Sequence, residues 1–157
     1  MKRFELSVLD LAPVKQNKTI HDSFHESLTL AKHTEKLGYK RFWLAEHHNM
    51  PSIASSATSV LICFIANGTE KIRVGSGGVM LPNHSSLVIA EQFGTLESLF
   101  PGRIDLGVGR APGTDGVTAK ALGRNPMIIN EQFPRQIQEL QQYFSVENAT
   151  SLVRAIP

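Results

Sequence analysis

The fold is decided by the stretch Phe42-Trp43-Leu44-Ala45-Glu46-His47-His48-Asn49. It begins as an apolar run typical of a buried strand, and an acid and two adjacent histidines follow that run directly. The carboxyl ends of the strands in an α/β fold open onto the ligand site. Imidazole is also the side chain best suited to proton transfer near neutral pH. The stretch therefore predicts a strand that ends at a functional site.

Strand-like and helix-like segments alternate on both sides of this stretch. Strands are predicted at residues 6–11, 39–45, 72–82 and 103–110. Helices are predicted between them and after the last one, with starts at Ser23, Ser56, Asn83 or Ser85, and Asn130. Ser23 and Glu26 have the spacing of a capping box. This alternation predicts an α/β fold with a parallel sheet and right-handed connections, and residues 151–157 are expected to lead toward a fifth strand.

Composition and charge indicate one folded domain and exclude several classes of protein. The 157 residues are 41% hydrophobic and 19% charged, which is the balance of a globular domain with a core. The net charge of +2 is small, and no basic stretch with interleaved aromatic residues indicates a nucleic-acid groove. Cys63 is the only cysteine, so the chain cannot form an internal disulfide or a cysteine cluster for zinc. No signal-peptide or membrane-helix pattern is present, which predicts a soluble, cytoplasmic protein.

The second predicted helix is apolar on nearly every side. Apolar residues at helical spacing run from Ala57 to Ile65, and Ile62 and Cys63 fill the opposite side. A helix of this kind needs burial on both of its faces. We therefore expect one face to pack on the sheet and the other to form a subunit interface.

Glu46-His47-His48 allows two interpretations. Adjacent side chains on a strand point to opposite faces, so the two histidines cannot both bind one metal ion without a bend. The i, i+4 spacing of helical zinc sites is also absent, and we expect no metal. One interpretation is a polar strand end with solvated histidines, and the other is an acid–base or ligand-orienting role. Spacing alone does not decide between them.

Two stretches that contain glycine also allow a structural and a functional interpretation. Gly77-Gly78 lies inside the third predicted strand, where it indicates either a bulge that shapes the sheet or a close approach of the backbone to a flat ligand. The segment Gly107-Val108-Gly109-Arg110-Ala111-Pro112-Gly113 ends the fourth strand and lacks the spacing of a dinucleotide fingerprint. It is either a glycine-rich turn with a surface arginine or a phosphate site in which the guanidinium binds phosphate bidentately.

Several motifs, in this order and spacing, resemble the N-terminal half of the bacterial luciferase-like flavin-dependent monooxygenases. The resemblance covers roughly residues 4–145 and rests on Glu46-His47-His48, VGSGGVMLP at 74–82, AEQFGTLE at 90–97 and PGRIDLGVGR at 101–110. It implies a TIM (β/α)8-barrel fold, present here as an N-terminal half of about four βα units. It also implies a site at the carboxyl ends of the strands that binds reduced FMN and oxidises a small organic substrate with O2.

The resemblance assigns roles to individual residues. By position, His47 matches the family's catalytic histidine beside the flavin, and His48 matches its neighbour. Gly77-Gly78 matches a non-prolyl cis peptide under the flavin ring, and Arg110 matches an arginine that reaches the flavin phosphate. Since luciferase itself carries a cysteine where this chain has Gly109, thiol chemistry is not expected there. The expected site residues are catalytic His47 and His48 and, for the cofactor, Glu46, Gly77, Gly78, Gly109 and Arg110.

The chain is short for a complete barrel, which needs about 250 residues. We therefore expect residues 1–157 to be a single domain, the N-terminal half of the barrel, with the C-terminal half and its other phosphate-binding loops absent. The resemblance implies a homodimer through helices near 56–67 and 84–100, with a flavin reductase as a further partner. The alternative is a non-catalytic flavin-binding or dimerising module derived from that family.

Overall fold

A computed structural model describes residues 4–124 and 129–157. Its sheet contains four parallel strands in chain order, which are β1 Ser7–Asp10, β2 Arg41–Leu44, β3 Arg73–Met80 and β4 Ile104–Gly109. Parallel neighbours in chain order require a crossover connection at each step, as in the wall of a barrel. The predicted α/β alternation and parallel sheet are confirmed.

Helices connect the strands and follow the last one. They are α1 Ile20–Lys36, α2 Thr58–Asn67, α3 Ser86–Leu99, α4 Gly116–Ala121 and α5 Ile129–Tyr143, with 3-10 turns at Leu81–Asn83 and Val146–Thr150. Helix α4 lies in a stretch where the sequence predicted only a loop, and the side chain of Asp115 caps it by accepting from the Thr118 N–H at 2.9 Å. Among the helices of the described ranges, none has the length and apolar character needed to span a membrane.

The predicted helix starts are only partly correct. Helix α1 is capped by Thr19, which exchanges hydrogen bonds with Asp22, so the predicted capping box at Ser23 was wrong. Ser23 is buried inside the helix instead. Helix α2 has Ala57 at its N-cap with no side-chain bond, so Ser56 is not its cap. Ser85, one of the two predicted starts, is the N-cap residue of α3, whereas the predicted cap Asn130 lies inside α5.

The sheet has one covered face and one open face because side chains alternate along its strands. Phe42, Leu44 and Val74 are fully buried and belong to the core that the helices share with the sheet. The residues between them point the other way. On that open face Leu9 is 55% exposed and lies close to Gly77. The predicted site residues lie at the carboxyl end of the sheet, with Gly77 on the open face and Glu46 buried on the covered side, as Leu44 is.

Helix α2 has the two apolar faces that the sequence predicted. Ile62 and Ile65 are fully buried against the sheet. On the outward face, Val60 is 69% exposed and Phe64 is 37% exposed. An apolar outward face suits a protein partner, and the subunit interface stays a prediction.

Candidate active site

Three loops meet at the carboxyl end of the sheet, one after each of β2, β3 and β4. The main-chain N–H of His48 donates to the carbonyl of Gly113 at 2.9 Å, and the Thr114 hydroxyl donates to the carbonyl of His48 at 2.9 Å. The side-chain amide of Asn83 donates to the carbonyl of Pro112 at 3.1 Å. These bonds join the loops after β2 and β3 to the loop after β4. The predicted site therefore lies on a connected set of loops.

Glu46 is the centre of this region. The residue is almost completely buried, and its two oxygens accept from the main-chain N–H of Met80 at 2.9 Å and from Asn83 Nδ2 at 3.2 Å. His48 Nε2 lies 2.7 Å from the same carboxylate, and His84 Nε2 lies 2.9 Å and 3.0 Å from its two oxygens. Each bond comes from a different residue, so one carboxylate holds the ends of β2 and β3 together.

The charge of Glu46 follows from these donors. Burial by itself raises the pKa of this carboxyl, but the hydrogen bonds from His84, His48 and Met80 lower it to about 2. The group is therefore an ionised carboxylate at neutral pH. An ionised carboxylate only accepts hydrogen bonds, so the Nε2 atoms of both histidines carry the protons that they share with Glu46.

The two adjacent histidines have different surroundings. His48 follows Glu46 by two positions, so both side chains point the same way and meet. His47 points away from this cluster, and its Nδ1 is buried without a hydrogen-bond partner in the part of the chain that the structure describes. A neutral imidazole has one donor and one acceptor nitrogen, and an unpaired buried N–H is costly. An N–H at Nδ1 would be unpaired in these surroundings, which favours the tautomer that carries its proton on Nε2.

His84 and Asn83 belong to the site, and the sequence did not assign them to it. Sequence reasoning treated Asn83 only as a candidate helix start and did not consider His84. Their position in the sequence could have indicated this role, since both residues directly follow the third predicted strand. A histidine or amide at a strand end of an α/β fold is placed to meet the other strand ends.

Glu46, His48 and His84 also have the composition of a metal site. Their ligand atoms lie within 4.8 Å of one another, and this is the one such group among the residues described. The sequence argument against metal considered only the adjacent histidines, whereas the third ligand comes from the loop after β3. The carboxylate already accepts from Met80 and Asn83 as well as from both imidazoles. The three residues therefore form one hydrogen-bonded cluster, and the absence of a metal stays a prediction.

Gly77-Gly78 forms part of the open face and is a cis peptide, as the resemblance implied. A Cβ atom at Gly77 would lie 3.0 Å from Trp43 Cβ and 3.3 Å from Leu9 Cδ1. A Cβ atom at Gly78 would lie 3.0 Å from the carbonyl oxygen of Gly107. The pairing of β3 with β4 shifts register between Ser76 and Val79, so the predicted bulge is present. Side chains larger than hydrogen do not fit here without displacement, and the surface stays low and flat.

Gly109 ends β4, and Arg110 follows it beside the same loops. A Cβ atom at Gly109 would lie 2.8 Å from Met80 Cε, so glycine lets β4 approach the end of β3 closely. The carbonyl of Arg110 accepts a hydrogen bond from the Arg124 guanidinium, and a second nitrogen of Arg124 lies 3.4 Å from Asn83 Oδ1. Arg124 follows α4 and is 8% exposed. Sequence reasoning missed it, since it lies 14 positions beyond Arg110 in a stretch predicted as loop.

The family model and the relatives that match this chain indicate the same family. The family model described as luciferase-like monooxygenase matches residues 4–143. A luciferase-like monooxygenase of Escherichia coli (strain K12) is 54% identical over 156 residues, which are 99% of this chain and 47% of that protein. The chain thus spans about half the length of the curated relatives it matches.

Two solved structures show the same fold. The structure of apo-MsnO8 superimposes with a TM-score of 0.90 at 39% identity, over 99% of this chain and 46% of that one. The oxygenating constituent of 3,6-diketocamphane monooxygenase, solved in complex with FMN, superimposes with a TM-score of 0.75 at 19% identity, over 88% of this chain and 38% of that one. The second likeness concerns the fold alone. Both neighbours extend well beyond the region that corresponds to this chain.

Proposed function

Because the chain belongs to the luciferase-like monooxygenase family, we propose that it forms the N-terminal half of a flavin-dependent monooxygenase. FMN, when bound and reduced, supplies the two electrons with which one atom of O2 enters a small organic substrate and the other leaves as water. FMN is proposed as the cofactor because of the family, and one protein with the same fold, the oxygenating constituent of 3,6-diketocamphane monooxygenase, was solved in complex with FMN. The activity of the whole protein is likewise a proposal, since this chain covers about half of its relatives.

One observation carries the proposal, namely the connection of three strand-end loops around Glu46 beside an open sheet face with glycine at Gly77-Gly78. A flat ring needs a surface without protruding side chains, and the glycine pair provides one. A phosphate needs a cation near main-chain atoms that can approach it, and Arg110 follows Gly109 at such a strand end. The residues present therefore fit a flavin nucleotide.

The histidines have separate roles in this proposal. His47 would donate from Nε2 to the ligand, since its Nδ1 is buried and unpartnered among the described residues. His48 would keep its position through its hydrogen bond to Glu46. Glu46 is fixed as an acceptor by Met80 and Asn83, so it orients the imidazole rather than reacting. This division gives the site one histidine for the ligand and one for the network behind it.

The test is a titration of the natural protein that contains this chain with oxidised and reduced FMN and with riboflavin, followed by fluorescence. We expect FMN to bind more tightly than riboflavin. The Arg110→Ala variant should lose that difference, with little change in its affinity for riboflavin. Equal losses of both ligands would remove the phosphate role of Arg110. Substrate-dependent consumption of reduced FMN supports the enzyme, whereas binding without consumption supports the non-catalytic module.

We also propose that a second copy of the chain covers the outward faces of α2 and α3. Val60 and Phe64 on α2 and Val88 and Leu99 on α3 are exposed apolar side chains, at 69%, 37%, 44% and 58%. Val60, Val88 and Leu99 line a groove between α2 and α3, and Phe64 lines a second groove between α1 and α2 together with Val60. Apolar patches of this kind mark protein contacts. Sedimentation of Val60→Asp against the natural protein tests this interface. A natural protein that sediments as a monomer at micromolar concentration would contradict it.

A further inference from the structure

Arg124 has surroundings that helix packing alone does not explain. It follows the short helix α4 and is 8% exposed, so its charge is almost completely removed from water. One of its terminal nitrogens donates to the main-chain carbonyl of Arg110, and the other lies 3.4 Å from Asn83 Oδ1. Its Nε atom is buried without a partner within the described ranges. A buried guanidinium with incomplete hydrogen bonding costs stability, which indicates that its position serves another purpose.

The same guanidinium is connected to the acidic centre of the site. Asn83 accepts from Arg124 through Oδ1 and donates to Glu46 through Nδ2, at 3.4 Å and 3.2 Å. An amide side chain therefore links the buried cation to the buried carboxylate. Burial lowers the pKa of Arg124, and the charge of Glu46 opposes that change. The network extends from the carbonyl of Arg110 to both histidines that contact Glu46.

We propose that Arg124 is a positioning residue for phosphate recognition, which holds the main chain at Arg110 so that the loop after β4 keeps the conformation that binds a flavin nucleotide. The inference rests on the proposed function, because it concerns the same ligand. A guanidinium suits this task, since its planar fork donates in two fixed directions to oxygens on two different loops. An ammonium group lacks that planar fork. Arg124 is therefore expected to act through Arg110 without contacting the phosphate.

A purely structural role predicts a different outcome. If Arg124 only stabilised the fold, its removal would weaken every flavin equally, by lowering the fraction of folded protein. A positioning role for the phosphate loop weakens FMN and leaves riboflavin, which has no phosphate, nearly unchanged. The ratio of the two dissociation constants separates the two roles.

The experiment measures the Kd of FMN and of riboflavin for Arg124→Gln and Arg124→Lys in the natural protein that contains this chain. We expect FMN to weaken about tenfold in both variants and riboflavin to change less than twofold. Arg154→Gln is the matched control, because Arg154 is exposed and also donates to a main-chain carbonyl, that of Ala149 at 3.4 Å. The control should keep the natural ratio. Equal weakening of both flavins, or an unchanged ratio in both Arg124 variants, would overturn the proposal.

Chemical rescue gives a second readout. Arg124→Ala leaves space for a small cation, and millimolar guanidinium should restore FMN binding in that variant without strengthening it in Arg110→Ala. Rescue of neither variant, or of both, would count against a positioning role.

A flavin-free measurement separates this inference from the proposed function. Selective labelling with ¹⁵N-alanine and ¹⁵N-glycine reports the amides of Ala111 and Gly113 without any ligand. We expect both signals to shift in Arg124→Gln and neither to shift in Arg154→Gln. If the signals shift but the protein binds no flavin, the proposed function is refuted, while the positioning of the loop after β4 by Arg124 is supported. If the signals do not shift, the inference about Arg124 is overturned.

Discussion

The two ends of the sheet each hold a carboxylate with several charged or polar partners, and the partners differ in kind. At the carboxyl end, Glu46 is bound by two histidines, a main-chain N–H and an amide. At the amino end, Asp105 is bound by Arg73 through two bonds of 2.8 Å and 2.6 Å and by Arg41 at 3.0 Å. Imidazole changes its charge near neutral pH, whereas guanidinium keeps its charge. The amino end therefore pairs its carboxylate with fixed charges, whereas the carboxyl end pairs its carboxylate with neutral donors and with imidazoles.

The two carboxylates also differ in exposure, which sets the size of their contributions. The side chain of Glu46 is 2% exposed and that of Asp105 is 21% exposed. Burial raises the pKa of Asp105, but the hydrogen bonds and charges of Arg73 and Arg41 lower it by a larger amount. The pKa of Asp105 therefore lies below its ordinary value. Water still reaches part of this group and weakens its ion pairs. The stability of the carboxyl end of the sheet should therefore depend more on its carboxylate than that of the amino end does.

The largest expected effect comes from the matched pair Glu46→Gln and Asp105→Asn. Each change keeps the shape of the side chain and turns one oxygen into a donor that faces other donors. We expect Glu46→Gln to lower the free energy of unfolding by about 3–5 kcal/mol, as in the breaking of a buried pair, and Asp105→Asn to lower it by about 1–3 kcal/mol. Urea denaturation of both variants measures the difference. A greater loss of unfolding free energy in Asp105→Asn than in Glu46→Gln would show that the amino end depends more on its carboxylate.

The pH dependence of stability sharpens the same comparison. The pKa of Glu46 is about 2 in the folded protein and 4.5 in its ordinary state. A carboxyl with a lowered folded pKa stabilises the fold above the unfolded value, and this stabilisation, about 3 kcal/mol, is lost as the pH falls from 4.5 toward 2. The difference in unfolding free energy between the natural protein and Glu46→Gln should therefore narrow below pH 4.5. A constant difference from pH 7 to pH 3.5 would contradict the lowered pKa.

The sequence was sufficient to predict the sheet because the physical signal for it is local. Buried residues such as Phe42 and Leu44 alternate with open-face residues along the second strand. The first helix cap was predicted wrongly because Thr19 and Ser23 both start the same pattern, a hydroxyl with an acid three positions later. Only the burial of Ser23, which depends on tertiary packing, separates the two.

The site could be predicted only where its residues lie close together in the chain. Glu46 and His48 are two positions apart, and the family resemblance covers them. The bonds that complete the site join Glu46 to His84 across 38 positions, and Arg124 to Asn83 across 41 positions. No periodicity or motif spacing reports pairs at such separations. Arg124 was also hidden by its position after a six-residue helix in a stretch that was predicted as loop.

A smaller effect is expected from Arg73→Gln at the amino end. Arg73 donates to both oxygens of Asp105 and to the carbonyls of Ile104 and Gly102, and its side chain is 27% exposed. We expect a loss of about 1–2 kcal/mol in unfolding free energy. FMN and riboflavin should bind as in the natural protein, because this end of the sheet lies away from the site. A changed FMN to riboflavin ratio would show that the two ends are coupled.

The smallest expected effect is that of Arg41→Gln, which tests whether the amino end is a set of fixed charge pairs. Arg41 makes one bond of 3.0 Å to Asp105 and a longer contact of 3.9 Å with Glu5, whose side chain is 64% exposed. Since exposed ion pairs contribute little and are screened by salt, the loss should be about 0.5 kcal/mol and should shrink at high ionic strength. In the Asp105→Asn background, Arg41→Gln should hardly change the free energy of unfolding, because the ion pair with Asp105 is the main stabilising contact of Arg41. An undiminished loss in that background would show that Arg41 stabilises the sheet through its packing instead of its charge.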